Sequence, residues 1–136
     1  MKEQKGFTLI ELLVVIAIIG VMAALVIVNL SSANKKSRDA RRKADLSEVK
    51  TALELYYDDN LQYPTAATMV TWNTATPGVL AGLTPTYIKT MPQDPRNTAP
   101  MLYSYIGDPN GYTLTAYLEN YTSGVSNKTY SVYSSN

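Results

Sequence analysis

Apolar and polar residues are segregated along this chain rather than mixed. Leu12 to Asn34 carries no charged residue, and Leu12 to Val28 is apolar around the full circumference of a helix. A helix from Leu12 to Leu30 spans about 28 Å, close to the hydrocarbon thickness of a bilayer. A helix apolar on every side belongs in a large protein interior or in lipid, and 136 residues supply no interior of that size. The pattern predicts a membrane-embedded helix. Past it the period changes: Leu46, Val49, Leu53 and Tyr56 recur at spacings of three and four, one stripe on an otherwise polar helix. No Pro or Gly lies between residues 21 and 60. The helix is therefore expected to leave the membrane and run on to Asp58-Asp59-Asn60, a poor helix interior where Asn60 can form a left-handed cap. Phe7 to Asp59 amounts to about 80 Å of helix.

Residues 61–136 are rich in Thr, Tyr, Asn, Ser and Pro, and hold most of the 11 tyrosines. Thr65 to Thr90 reads as an irregular loop with a short helical turn at Val79 to Leu83. Tyr103 to Ile106 and Tyr112 to Leu118 read as a hairpin, because Asp108-Pro109-Asn110-Gly111 between them is strong turn chemistry. Lys128 to Tyr133 reads as a third strand. Leu114, Ala116 and Leu118 alternate onto one face and are expected to pack, with Ile106, against the helix stripe. The tyrosines read first as strand residues, with surface adhesion contacts as the alternative. The fold class is α+β.

Composition then narrows the chemistry. Lys and Arg total 12 against 11 acidic residues, too even a balance for a dedicated nucleic-acid binder. There is no His and no Cys, which excludes disulfides, thiolate metal sites, Cys nucleophiles and His bases. Asp58 and Asp59 are adjacent, so their side chains diverge. No catalytic residue, enzyme activity or cofactor is expected. Asn120-Tyr121-Thr122 and Asn127-Lys128-Thr129 match the common glycosylation pattern.

Three classes of membrane segment share this pattern. Lys2 and Lys5 before the apolar block, and Ser31-Ser32-Ala33 after it, fit a signal peptide cut after Ala33, although the apolar region of such peptides is usually only about 7–15 residues. A plain signal anchor would keep the helix. Neither gives a role to Glu11, a carboxylate at the edge of the apolar run, where ionisable groups are costly and usually partnered.

Lys5-Gly6-Phe7-Thr8-Leu9-Ile10-Glu11-Leu12, followed by the long apolar helix, resembles the N-terminus of type IV pilins and type II secretion pseudopilins. The resemblance is specific over residues 5–30. It is looser beyond, where Tyr57, Asp59, Asn60, Tyr63 and Pro64 echo a common family ending. It implies a leader (1–6) cut after Gly6 by a prepilin peptidase, and N-methylation of the new terminal Phe7. Gly6, Phe7 and Glu11 match the family positions one for one. It further implies the pilin fold: a transmembrane and filament-core helix (7–30), an amphipathic continuation (31–60), and a globular head (61–136) with a small antiparallel β-sheet packed on the long helix.

The physical logic of that terminus can be stated separately. Cleavage leaves Phe7 with a cationic amine one helical turn from Glu11. Between subunits, the amine of one chain and Glu11 of the next neutralise each other in an apolar core. Either charge left unpaired there costs several kcal/mol, so Phe7 and Glu11 would set the axial register of assembly. The plainer reading of Glu11 is a carboxylate snorkelling to lipid headgroups. Gly20 and Ala24 form a small-xxx-small pair that permits close helix packing. Val28 stands where many family members carry a proline that weakens the helix, so local melting is less compelled here.

Lys35, Lys36, Arg38, Arg41, Arg42 and Lys43 form a basic cluster offset by Asp39. The positive-inside rule would hold it in the cytoplasm; the resemblance places the head outside, and takes precedence because its motif is specific. The cluster reads as a contact with anionic headgroups before assembly and a solvated or salt-bridged face afterwards. DNA contact by repeated patches on the assembled fibre is the alternative. Met91-Pro92-Gln93-Asp94-Pro95, with Tyr103 and Tyr105, resembles the segment before the sheet in major pseudopilins, which often hold calcium. Asp94, Asp108 and Asn110 are donors but lack the clustering that Ca²⁺ needs, so no metal is expected.

The first reading is a structural subunit of a type IV pilus or pilin-like filament. The alternative is the major pseudopilin of a type II secretion system, and the reading from a different class is an exported or signal-anchored binding domain. The partners implied are copies of itself in a helical filament, a prepilin peptidase, a pilus or secretion assembly machinery, and the membrane. The place implied is single-pass in the cytoplasmic membrane, then an extracellular or envelope-spanning filament.

Overall fold

A computed structural model describes residues 6–120 and 128–135. It comprises one helix α1 (Leu9–Asn60), strands β1 (Ala66–Trp72), β2 (Tyr103–Asp108), β3 (Gly111–Tyr117) and β4 (Thr129–Tyr133), and a 3₁₀ helix at Gly78–Leu83. The chain divides into two compact units, residues 1–35 and 36–136.

The first unit is the apolar part of α1. Its described side chains are exposed throughout, and no residue of its most apolar stretch is buried. The backbone stays helical through Val28. A Cβ placed on Gly20 would meet nothing within 4 Å, so that position is open to a neighbour.

In the second unit the four strands form an antiparallel meander in the order β1-β2-β3-β4. Leu46, Val49 and Leu53 are fully buried, Tyr56 packs against the same core, and Ala52 joins them, so the stripe of three- and four-residue spacings is the helix's contact with the head. The β2–β3 turn forms where expected: Asp108 Oδ1 accepts from the N–H groups of Asn110 and Gly111, an Asx turn closing the Asp108–Gly111 pair.

That register settles which residues enter the core. Tyr105 pairs with Leu114 and Ile106 with Thr113. Alternation then puts Tyr103, Tyr105, Leu114 and Ala116 on the buried face and Ile106 on the other, correcting the expectation that Ile106 packs with Leu114. Tyrosine outcompetes isoleucine because each phenol finds an acceptor inside the head. Tyr103 donates to Asp45 at 2.6 Å, Tyr63 and Tyr112 both donate to Glu54 at 2.8 Å, and Tyr105 donates to the Pro64 carbonyl. Satisfied hydroxyls let large aromatic rings be buried without a polar penalty.

Two local expectations need correction. The segment read as an irregular loop contains β1, whose register shifts between Ala66 and Val70 and whose buried residues are only Ala66 and Trp72 at its ends. At the end of α1 the left-handed residue is Leu61 (φ 55°), not Asn60; the Leu61 N–H donates to the Tyr57 carbonyl at 2.7 Å. Asn60 instead turns its side-chain amide back to the Tyr56 carbonyl.

Candidate functional site

Gly6 and Phe7 precede the helix in non-helical backbone. Phe7 is 85% exposed and nothing lies within 4 Å of a Cβ built on Gly6, so none of the described residues packs over Gly6. The helix starts at Leu9 because Thr8 and Glu11 cap it reciprocally. The Thr8 N–H and hydroxyl both donate to Glu11 Oε2 at 2.8 Å, and the Glu11 N–H donates to Thr8 Oγ1 at 3.3 Å. This is a capping box. Sequence reasoning gave Glu11 a future partner in the Phe7 amine and overlooked its present one, although Thr-x-x-Glu ahead of an apolar run is the recognised signal. Phe7, Ile10, Val14 and Val15 border the carboxylate, so it stands in an apolar rim.

The basic cluster is split by the fold. Arg42 is fully buried. Its Nε and Nη2 donate to the two oxygens of Asp94 at 2.6 and 3.0 Å, and its Nη1 reaches Asp39 at 2.8 Å and Glu119 at 2.9 Å. Arg38 grips Glu119 with two bonds of 2.7 and 2.6 Å, and Arg96 approaches the same carboxylate at 3.7 Å. Asp39 also accepts the backbone N–H groups of Glu119 and Asn120, and Asp94 those of Arg96 and Asn97. Arg38, Arg42 and Arg96 thus balance Asp39, Asp94 and Glu119. The Arg38 hydrogen bonds, aided by Arg42, pull the Glu119 carboxyl down to about 2. Burial alone would lower the Arg42 pKa, but its three carboxylate partners outweigh that and raise it.

Arg38 and Arg42 are therefore not available to headgroups or DNA. Lys35, Lys36, Arg41 and Lys43 remain exposed, Lys43 with its Nζ 5.5 Å from the centre of the Tyr130 ring. Arg42 lies one turn before Leu46, so Asp39 and Arg42 extend the stripe of residues 46, 49 and 53; that spacing was the available signal. Glu54 is the second polar centre. Burial pushes its carboxyl up, and the Tyr63 and Tyr112 hydroxyls more than offset this, holding it below the usual range.

Among the described residues no three acidic side chains converge in a way that fits a metal ion. Asp94 is engaged by Arg42, while Asp108 and Asn110 belong to the β2–β3 turn. Lys2 and Lys5, Asn127, and the Tyr121 and Thr122 positions of the first glycosylation pattern lie outside the described residues.

Two family models match the chain. The prokaryotic N-terminal methylation motif covers residues 1–27, and the type II secretion system protein G model covers residues 29–135. The type II secretion system core protein G of Aeromonas hydrophila is 38% identical over 98 residues, 69% of this chain and 68% of that protein. The core protein G of Klebsiella pneumoniae is 38% identical over 99 residues, 70% of this chain and 71% of that protein. The type IV wide pilus major component PilA4 of Thermus thermophilus is 48% identical over 63 residues, 46% of this chain and 48% of that protein. No solved structure matches the chain.

Proposed function

The chain belongs to the type II secretion system protein G family, and from that premise we propose that it is the major structural subunit of a short secretion fibre, a pseudopilin. The observation that carries this reading is an apolar half-helix with no buried residue in its most apolar stretch, opening after Gly6 and an exposed Phe7 with Glu11 at its mouth. In the membrane, lipid covers that helix. In a fibre, the same helices of other copies do, with Gly20 and Ala24 allowing close approach.

The steps follow from the residues. A prepilin peptidase of the membrane cuts after Gly6, and Phe7 becomes the methylated N-terminus. The new amine of one copy neutralises Glu11 of the next, which selects one axial offset, because a shifted register leaves both charges in an apolar core. Thr8 holds the carboxylate until that partner arrives. The exposed lysines at 35, 36 and 43 meet anionic headgroups before assembly. The chain acts structurally, not as a catalyst.

N-terminal sequencing and intact mass of the protein recovered from cells test this. The expected chain begins at methylated Phe7; a start at Asn34, or an intact Met1, would overturn the filament reading. Glu11→Ala should be cut normally and fail to assemble. A type IV pilus subunit is the second reading, favoured by the 48% identity to PilA4 over 63 residues. Microscopy separates them: long surface filaments for a pilus, short fibres confined to the envelope for a pseudopilus.

A further inference from the structure

Along the head-bearing part of α1 the exposed charges are sorted by sign. Lys36, Arg41 and Lys43 stand at its start, Asp58 and Asp59 at its end. Among the described residues Lys36 and Lys43 have no carboxylate partner and Asp58 has no cation. Asp59 has only the Tyr87 hydroxyl, at 2.8 Å. The two carboxylates also occupy the last turn, which has no basic residue and where the carbonyl end of the helix repels negative charge.

At about 100° per residue, Lys36, Lys43 and Asp58 fall on one flank of the helix. On that flank Lys36 and Lys43 rim a groove of about 220 Å³ formed with Asp39, Ala40, Leu118 and Asn120. Asp39 there is already spent on Arg42 and two backbone N–H groups, so it leaves the lysines unneutralised. Lys43 and Asp58 are separated by about 22 Å of rigid helix, so no motion within one chain joins them. A second copy lying parallel, displaced by that distance and turned half a turn about its long axis so that the same flank faces across, does.

We propose that the Lys43 end of this groove receives Asp58 at the end of α1 from a second copy of this chain. The contact rests on the fibre reading above and adds to it an ionic register between heads, outside the apolar core. It sets the axial displacement of the two copies at about 22 Å.

The chain has no cysteine, which makes the test direct. The variant carrying both Lys43→Cys and Asp58→Cys is expressed in cells and its fibres are oxidised. Within one chain the two positions are far beyond the roughly 4.4–6.8 Å between Cα atoms that a disulfide allows, so every bridge joins copies. The expected result is a ladder of covalent multimers from the double variant, and nothing beyond a dimer from either single variant. Fibres that form without a ladder overturn the proposal and leave the fibre reading intact; absence of fibres from the unaltered protein overturns the fibre reading itself. Should the cysteine pair block assembly, charge exchange decides. Lys43→Asp or Asp58→Lys alone should weaken association roughly 2- to 5-fold per contact, and the two together should restore it. Lack of restoration overturns the proposal. So does a Lys43→Asp effect limited to binding of the unassembled chain to anionic phospholipid vesicles.

Discussion

Replacing Arg42 by Met keeps an apolar stem in the core and deletes the guanidinium, and the three carboxylates around it respond unequally. Glu119 keeps Arg38 and Arg96, and Asp39 keeps two backbone N–H donors. Asp94 keeps the backbone N–H groups of Arg96 and Asn97 but, with its side chain 1% exposed against 9% for Asp39, has no other cation among the described residues. The most deeply buried charge left without a cation is therefore that of Asp94. Breaking a buried ion pair from one side costs about 3–5 kcal/mol, against roughly 5–15 kcal/mol for the stability of a domain. At about 4–8 °C per kcal/mol for a domain near 100 residues, the melting temperature should fall by roughly 12–40 °C. Thermal unfolding of a soluble fragment, residues 36–136, followed by near-UV circular dichroism of Trp72 and the tyrosines, measures this. Arg38→Ala serves as the comparison: its side chain is 34% exposed and Glu119 retains Arg42, so about 1 kcal/mol or less is expected. Adding Asp94→Leu to Arg42→Met should recover much of the loss, because an apolar pair is often a neutral exchange for a buried ionic one. Recovery stops short of complete, since the Arg96 and Asn97 N–H groups lose their acceptor. If Arg42→Met and Arg38→Ala shift the melting temperature equally, by under about 5 °C, the reasoning is refuted.

Three further outcomes are expected. Glu54→Leu leaves the Tyr63 and Tyr112 hydroxyls without their acceptor, costing about 2–4 kcal/mol in urea unfolding, and Phe at both positions should recover most of it. In acid, the Glu119 carboxyl sits at about 2 when folded against an ordinary glutamate value of 4.5; its contribution is fully present above 4.5 and lost as pH falls toward 2, a loss that Glu119→Gln should flatten in a melting-temperature profile. In alkali, burial, with Glu54 and Asp45 as acceptors, raises the phenols of Tyr63, Tyr103 and Tyr112, and burial raises that of Tyr105. Their protonated forms stabilise the head below the ordinary phenol range, near 10, and that contribution drains as pH rises beyond it. Tyrosinate absorbance of these four should appear together with unfolding; stepwise titration in a folded head would contradict the packing.

What the sequence made legible is what repeats. Lipid has no preferred side, so an all-round apolar run announces itself, and the stripe at 46, 49, 53 and 56 follows from one helix meeting one sheet. Glu11 stood out because a carboxylate beside an apolar run demands a reason; Gly6 and Phe7 were marked only by the resemblance to type IV pilins and pseudopilins. The hidden features depend on partners distant in the chain. Arg42 looked like one cation among six because Asp94 and Glu119, which bury it, lie 52 and 77 positions away. Ile106 looked like core because apolar residues usually are, whereas the β2–β3 register hands that face to Tyr103, Tyr105 and Tyr112, whose acceptors are Asp45 and Glu54 on α1 and the Pro64 carbonyl beyond it. β1 escaped notice because an edge strand buried only at its ends has no two-residue period. The resemblance did not separate pilus from pseudopilus; the match of residues 29–135 to protein G favours the second.

The meander has a consequence for the order in which the head is made. Each strand pairs with its neighbour in sequence, and only Pro109 and Asn110 lie between β2 and β3, so that hairpin closes through a two-residue loop, whereas 30 residues (73–102) separate β1 from β2 and 11 (118–128) separate β3 from β4. The clasps onto α1 are long-range: 52 residues from Arg42 to Asp94, 58 from Asp45 to Tyr103, 80 from Asp39 to Glu119. Loop closure of that length is the slower event. At roughly 5–20 residues per second, synthesis from Asp39 to Glu119 takes about 4–16 s. Leu46, Val49 and Leu53 are made early in that interval and β2 and β3 late in it, a lag of several seconds in which anything that shelters an apolar helix face can engage the nascent chain before its own sheet does.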